Sequence, residues 1–228
     1  MKIGIIGAMQ MEVDSLRESM QNISTEVISG ITYVSGTIDG KEVVAAVSGI
    51  GKVFAAICTE AMILMYHVDR IVNIGVAGTL TSELGVLDVA VADKVVQHDM
   101  NTSALGDPVG LLSGLDEIFL PSDDGMRATL CACLEERGIR YKVGTIATGD
   151  LFLNRPEQKV LLHHRFGAIA GEMEGGSIGH VCYVNKVPFA ILRSISDGEG
   201  GAMDYETFAE KAALRAIEIV VDFIRRSE

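Results

Sequence analysis

The sequence predicts an α/β protein of one domain, with a central mixed β-sheet flanked by helices on both faces. Three observations predict it. Short β-branched runs alternate along the chain with longer helical patterns, the order that gives a parallel or mixed sheet covered by crossover helices. The 228 residues, 48% of them apolar, are enough for one large hydrophobic core. No composition shift, Pro/Ser-rich linker or internal repeat divides residues 1–228.

KIGIIGAM reads as a buried strand feeding a turn, and residues 11–20 as a helix. TEVISG, ITYVSGTID and EVVAAVSG read as antiparallel strands, with Asp39-Gly40 as the hairpin turn between the last two. GKVFAAICTEAMILMYH is a strongly apolar helix, RIVNIGVAG a second buried strand and LDVAVADKVVQHD a longer one. Residues 99–121 lack periodicity and read as a loop, a length that usually marks function or an interface. Asp123 caps a helix that runs to about Arg137, where Gly138 ends it. YKVGTIATGD is a strand, and PEQKVLLHHRF a helix opened by Pro156. The strand GAIAGEM, a helix to about Asn185, the strand VPFAILRSIS and a helix from about Asp204 complete the chain.

Thirty-one acidic against nineteen basic residues give a formal charge of −12. No basic stripe offsets it, so nucleic acid is excluded as a partner, and a neutral or zwitterionic small molecule fits better than a highly anionic one. No window reaches the roughly 18 unbroken apolar residues of a membrane helix. The start, MKIGIIGAM, runs directly into Glu12 and Asp14 without the apolar region of a signal peptide, which reads as a cytoplasmic protein. Cys131 and Cys133 are too close for a zinc knuckle, and Cys58 and Cys182 lie in apolar helical patterns, so buried reduced thiols are expected. His163-His164 point apart on a helix with no third ligand nearby, and no metal or cofactor is expected.

In sheets of this kind ligands bind beyond the carboxyl ends of the strands. Three of those ends deliver carboxylates: Glu12 after the first strand, Glu172 and Glu174 after the strand at 167–171, and Asp197 after the last. Each has an ordinary explanation, since acids in a first helical turn favour the helix dipole and SDGEGG is a turn sequence. Together they suggest one cleft in which full ionisation is disfavoured. Gly49-Ile50-Gly51 follows a strand, but Phe54 stands where a dinucleotide fingerprint needs its third glycine, and no Walker loop is present.

IGIIGAM followed by Glu12, SGIGKVFAA at 48–56, NIGVAG at 73–78, TGDLF at 148–152, GEMEGGSIGHV at 171–181 and RSISD at 193–197 occur in an order that resembles one family. It is that of the bacterial 5′-methylthioadenosine/S-adenosylhomocysteine nucleosidases, members of the nucleoside phosphorylase superfamily, and the likeness spans essentially the whole chain. The resemblance implies a nucleoside phosphorylase-like fold, no cofactor, a homodimer, and hydrolysis of an N-glycosidic bond with water as nucleophile. The products would be adenine and a 5-thio-substituted ribose, a reaction of methionine salvage. By the same resemblance Asp197, positioned by Ser196, donates a proton to the adenine, while Glu12 is the base for the water, oriented by Arg193. Such a reaction passes through an oxocarbenium-like transition state. Glu174 would then hold the ribose 2′-hydroxyl with Met173 against the sugar and Glu172 in the same group. Phe152 would stack on adenine, backbone at Phe152 and Leu153 would read its edge, and Gly78 would border the substrate. Met9, Ile50 and Phe208 would line the apolar 5′ pocket, and the loop at 99–121 would reach a partner subunit.

This chain departs from the family pattern at Val76, where relatives carry Ser or Thr, and at Leu105 and Asp107, in a loop where many relatives carry aromatics. These changes bear on the range of 5′ groups and keep a nucleosidase for another 5′-modified adenosine, such as aminodeoxyfutalosine, as an alternative. A purine nucleoside phosphorylase is a further rival, but it needs cations around phosphate where this chain offers Arg193, Lys52 and the repelling Glu12. A non-catalytic nucleoside-binding protein has no need of both Glu12 and Asp197.

Overall fold

Runs of Ile, Val and Ala at four places become a parallel block of strands. In a computed structural model, which describes residues 1–10, 13–198 and 202–227, these are β1 (Lys2–Gly7), β4 (Lys41–Val47), β5 (Arg70–Thr79) and β10 (Phe189–Asp197). They lie in the order β4-β1-β5-β10. β10 is buried along its whole length and β1 almost so, as expected where both faces of a sheet are covered. β2 (Gln21–Ile28) and β3 (Ile31–Ile38) extend the β4 side as an antiparallel meander. Its turns use Ser29-Gly30 and Asp39-Gly40, all four with positive φ, the geometry of two-residue hairpins.

On the other side the sheet closes on itself. β6 (Val89–Gln97) runs antiparallel to β10 and parallel to β8 (Tyr141–Thr148). β9 (Ala168–Glu172) continues from β8 and returns to β5 through Gly78 and Thr79. The ring β5-β9-β8-β6-β10 gathers the ends of β5, β9 and β10 in one place.

Helices cover both faces. α1 (Asp14–Glu18), α3 (Asp124–Glu136) and α6 (Ala202–Arg226) pack on one side, where Leu16, Leu130, Ile217 and Phe223 meet Ile3, Ile5, Val72 and Ile74. α2 (Lys52–Tyr66) and α5 (Gly175–Asn185) pack on the other, joining Cys58, Met62, Ile178 and Cys182 to Ile6, Val44, Ile71 and Ile191. α4 (Pro156–Phe166) seals the end of the ring with Leu162 and Phe166. Burying each such side chain contributes roughly 1.5–3 kcal/mol, so the two faces hold the sheet as one unit.

Four sequence boundaries move. The described part of the first helix is only Asp14–Glu18, because Met20 turns into the core and the chain enters β2 at Gln21. β2 begins four residues before TEVISG; it is an exposed edge strand, so QNIS carries no apolar alternation to announce it. α6 begins at Ala202 rather than about Asp204. The stretch 99–121 is mainly loop, but it contains a 3-10 turn at Ser103–Leu105, and Leu120–Pro121 pairs with Val95 and Lys94 as β7. Two residues are too few to show a period.

Cys58, Cys133 and Cys182 are buried free thiols and Cys131 is half-buried, as the sequence suggests. Burial pushes the Cys58 thiol up to about 12, outweighing a hydrogen bond with Tyr33, so it is inert. Among the described residues no helix is long and apolar enough to cross a membrane.

Candidate active site

The gathered strand ends enclose a cavity of about 410 Å³. Ala8 and Met9 enter from β1, Val76 to Gly78 from β5, Glu172 from β9, and Arg193, Ser196 and Asp197 from β10. Ile50 comes from the turn before α2, Leu151 to Leu153 from the loop after β8, Met173 and Glu174 from the turn before α5, and Tyr205 from α6. The size suits a nucleoside-scale ligand, and the lining is mostly apolar with a few convergent charges.

Glu172 organises those charges. One of its oxygens accepts from Thr148 Oγ; the other accepts from the amides of Glu174 and Gly175, at 3.0 and 2.7 Å, and pairs with Arg193. The two amides open α5, so the carboxylate also sits at the favourable end of a helix dipole. Arg193 is almost wholly buried in the middle of an apolar strand. Its Nη2 also donates to Asn73 Oδ1 at 2.6 Å and stands 3.5 Å from Glu174 Oε2. The other Glu174 oxygen accepts from the Gly51 amide at 2.9 Å. A buried guanidinium with such partners is tolerable; removing one partner would leave an uncompensated charge.

The glycines after Glu174 have a steric cause. A methyl group on Gly175 would fall 2.9 Å from Ile191 Cδ1, and one on Gly176 2.8 Å from Thr148 Oγ. Gly176 instead donates its amide to that same oxygen at 2.6 Å. Helix α5 thus starts close enough to the sheet for its amides to hold Glu172.

Asp197 forms a second centre. Its Oδ1 accepts from Ser196 Oγ at 3.0 Å, and its Oδ2 lies 3.2 Å from Lys159 Nζ. A methyl group at Gly78 would come within 2.7 Å of Oδ2, so only glycine leaves room for this carboxylate.

The loop carrying Phe152 is clamped from two sides. Asp150 accepts from the Lys52 amide at 2.8 Å, and its own amide donates to Asp99 Oδ2 at 2.9 Å. Lys52 Nζ closes the circuit on Asp99 Oδ1 at 2.7 Å. Burial alone would push the Asp99 carboxyl up, but the Lys52 ammonium and the Asp150 amide together hold it below its ordinary value. Phe152 sits at the cavity mouth, edge-on to Tyr205 at 5.7 Å.

Residues 2–225 match the family model described as "Phosphorylase superfamily". The chain belongs to the phosphorylase superfamily. Within it the nucleosidase family read from the motifs is borne out. The chain is 35% identical over 228 residues to a 5′-methylthioadenosine/S-adenosylhomocysteine nucleosidase of Shewanella loihica, covering 99% of each. Among solved structures it superposes on the Helicobacter pylori enzyme of that name with a TM-score of 0.95 and 35% identity, covering 99% of this chain and 98% of the other. A mutant futalosine hydrolase from Helicobacter pylori matches equally well, with a TM-score of 0.95, 34% identity and 99% of both chains covered.

In this superfamily member the cavity collects Met9, Ile50, Gly78, Phe152, Leu153, Glu172, Met173, Glu174, Arg193, Ser196 and Asp197, all expected from the sequence. Glu12 lies outside the described residues. Phe208 does not line the cavity; Tyr205 does, because three residues along a helix carry a side chain about 4.5 Å further from the mouth. Arg193 contacts Glu172 and Glu174, and Glu172 is the better held of the two. Leu105 is 84% exposed and Asp107 accepts from Thr102 Oγ, so neither borders the cavity. Sequence reasoning missed Lys159, Asn73, Thr148, Tyr205 and the Asp99–Asp150 clamp. Asn73 carried a signal as the one amide in a buried strand, and Thr148 as part of TGDLF.

Proposed function

We propose that the chain is one nucleosidase domain over residues 1–228, hydrolysing the N-glycosidic bond of 5′-methylthioadenosine and S-adenosylhomocysteine. The observation that carries the reading is the pairing of charges at the cavity. Arg193 is matched to Glu172 and Glu174, Lys52 to Asp99 and Lys159 to Asp197. Acid groups face an apolar nucleoside-sized space, and the cations that a phosphate nucleophile needs are already neutralised. This favours water over phosphate and argues against a phosphorylase.

In the reaction the C1′–N9 bond breaks with its electron pair moving into adenine, which takes a proton at N7 from Asp197. Ser196 fixes the carboxyl orientation. Water adds to C1′ and gives its proton to Glu12. Glu174 accepts from the ribose 2′-hydroxyl and offsets the positive charge developing on the sugar, and Arg193 holds Glu174 against the Glu172 hub. Phe152 stacks on the base, backbone at 152–153 reads its edge, and Gly78 keeps space for the acid. Met173 packs on the sugar, while Met9 and Ile50 receive the 5′ group, with Tyr205 where Phe208 was expected.

A futalosine-type nucleoside is the second reading, favoured by the match to the Helicobacter pylori futalosine hydrolase and by Val76 in the cavity wall. A homodimer is supported by the apolar outer side of α2, where Val53, Phe54, Leu64 and Met65 are exposed. Leu105 would then reach the neighbouring subunit. Free thiols suit a reducing compartment, and we assign the enzyme to the cytoplasm.

The deciding experiment is adenine release from methylthioadenosine, adenosylhomocysteine and aminodeoxyfutalosine, each with and without phosphate. Phosphate-independent release from the thio-nucleosides with free thio-sugar is expected. Release only from aminodeoxyfutalosine would favour the second reading, and a ribose 1-phosphate product would overturn hydrolysis.

A further inference from the structure

Lys159 occupies an unusual position. It lies in the first turn of α4, in i, i+3, i+7 register with Leu162 and Phe166, the two side chains that bury the helix. That stripe normally carries apolar residues, and a cation in a first turn opposes the helix dipole. Both costs point to a specific partner. The side chain is 13% exposed, and its ammonium reaches Asp197 Oδ2 at 3.2 Å and the Gly198 carbonyl at 2.7 Å. It therefore ties the acid, and the chain leaving β10, to the helix that follows the Phe152 loop.

Among the described residues Lys159 is the cation directly on Asp197. From β10 itself Ser196 donates to Oδ1, and Arg193 is directed to Glu172, Glu174 and Asn73. β5 presents Gly78, which has no side chain. Tyr205 of α6 lines the same cavity, as do Glu172 and Glu174 before α5.

We propose that Lys159 is a positioning residue for the reaction: it holds the Asp197 carboxyl, together with Ser196, in the orientation from which it serves the leaving base. The inference rests on the nucleosidase reading and goes beyond it. Ser196 Oγ holds one carboxyl oxygen and the ammonium the other. Loss of the ammonium therefore frees Oδ2, and Arg at the same place preserves the hold.

The test is kcat and KM, measured separately, for methylthioadenosine with the native enzyme, Lys159→Met and Lys159→Arg, each checked for folding by thermal unfolding; Lys159→Gln replaces the Met variant if that does not fold. In Lys159→Met kcat is expected to fall about tenfold or more with KM little changed, with Lys159→Arg close to native. Equal kcat in all three would overturn the proposal while leaving the nucleosidase intact. If the native enzyme releases no adenine, the functional reading fails separately. The pair is then read from the carbon-13 carboxyl signal of Asp197, assigned with Asp197→Asn. A displaced signal in Lys159→Met that Lys159→Arg restores supports the role, and an unchanged signal refutes it.

Discussion

At the scale of single residues, the site depends on atoms that are present and on atoms that are missing. Asp197 is buried and held by Ser196 and Lys159, so its replacement by Asn keeps the shape and removes the transferable proton. Asp197→Asn is expected to lower adenine release about 10²–10⁴-fold, with a melting temperature within a few degrees of native. Full turnover in that variant would remove Asp197 from the chemistry. Gly176 is the opposite case. Alanine gains about 1 kcal/mol of helix propensity there, but its methyl group would meet Thr148 Oγ at 2.8 Å. Overpacking of this kind costs about 1–3 kcal/mol, so the clash wins. Gly176→Ala is expected to be less stable in urea unfolding and to lose activity with it, because α5 must retreat from Glu172.

At the scale of elements, the loop after β8 is positioned by its neighbours. It has two short internal backbone hydrogen bonds, Leu151 to Gly149 and Asn154 to Phe152, and leans on α2 through Asp150 and on the end of β6 through Asp99. The Lys52–Asp99 pair is partly exposed and is worth no more than about 1 kcal/mol. Asp99→Asn should therefore change the melting temperature little while raising KM several-fold, since Phe152 and Leu153 lose their fixed place. Steady-state kinetics alongside calorimetry separates the two effects. A large stability loss with unchanged KM would mean the clamp serves the fold and not the loop.

At the scale of the whole molecule, two half-buried histidines make stability depend on pH. Burial lowers His180, and burial also lowers His98, with Lys52 adding to it and Asp99 and Glu172 opposing it. The unfolded chain takes up protons at these rings near pH 6.5, whereas the folded chain resists until lower pH. Their contribution is present above the unfolded value and is lost as pH falls through the depressed folded value. Asp99, also held low, gives a further loss in more acidic solution, below the ordinary aspartate range. Melting temperature is expected to fall between pH 7 and 5, and His98→Asn with His180→Asn should flatten that slope. An equally steep slope in the double variant would assign it to other groups.

The sequence by itself determined the α/β class, the buried strands KIGIIGAM and RIVNIGVAG, the caps of α3 and α4, and the family. Those features are local: β-branched runs, an Asp or Pro at a helix start, and motifs of a few adjacent residues. It also named most of the cavity, because strand-end motifs stay next to their strands wherever the sheet places them. Only the tertiary structure decided the closure of the sheet into a ring, the two-residue β7 and the exposed β2. It also decided which cation meets which carboxylate. Arg193 is 21 residues from Glu172, Lys159 is 38 from Asp197, and Lys52 is 47 from Asp99. A pairing between residues so far apart leaves no periodic trace in the chain, and Coulomb attraction selects it only after packing has brought the groups within reach.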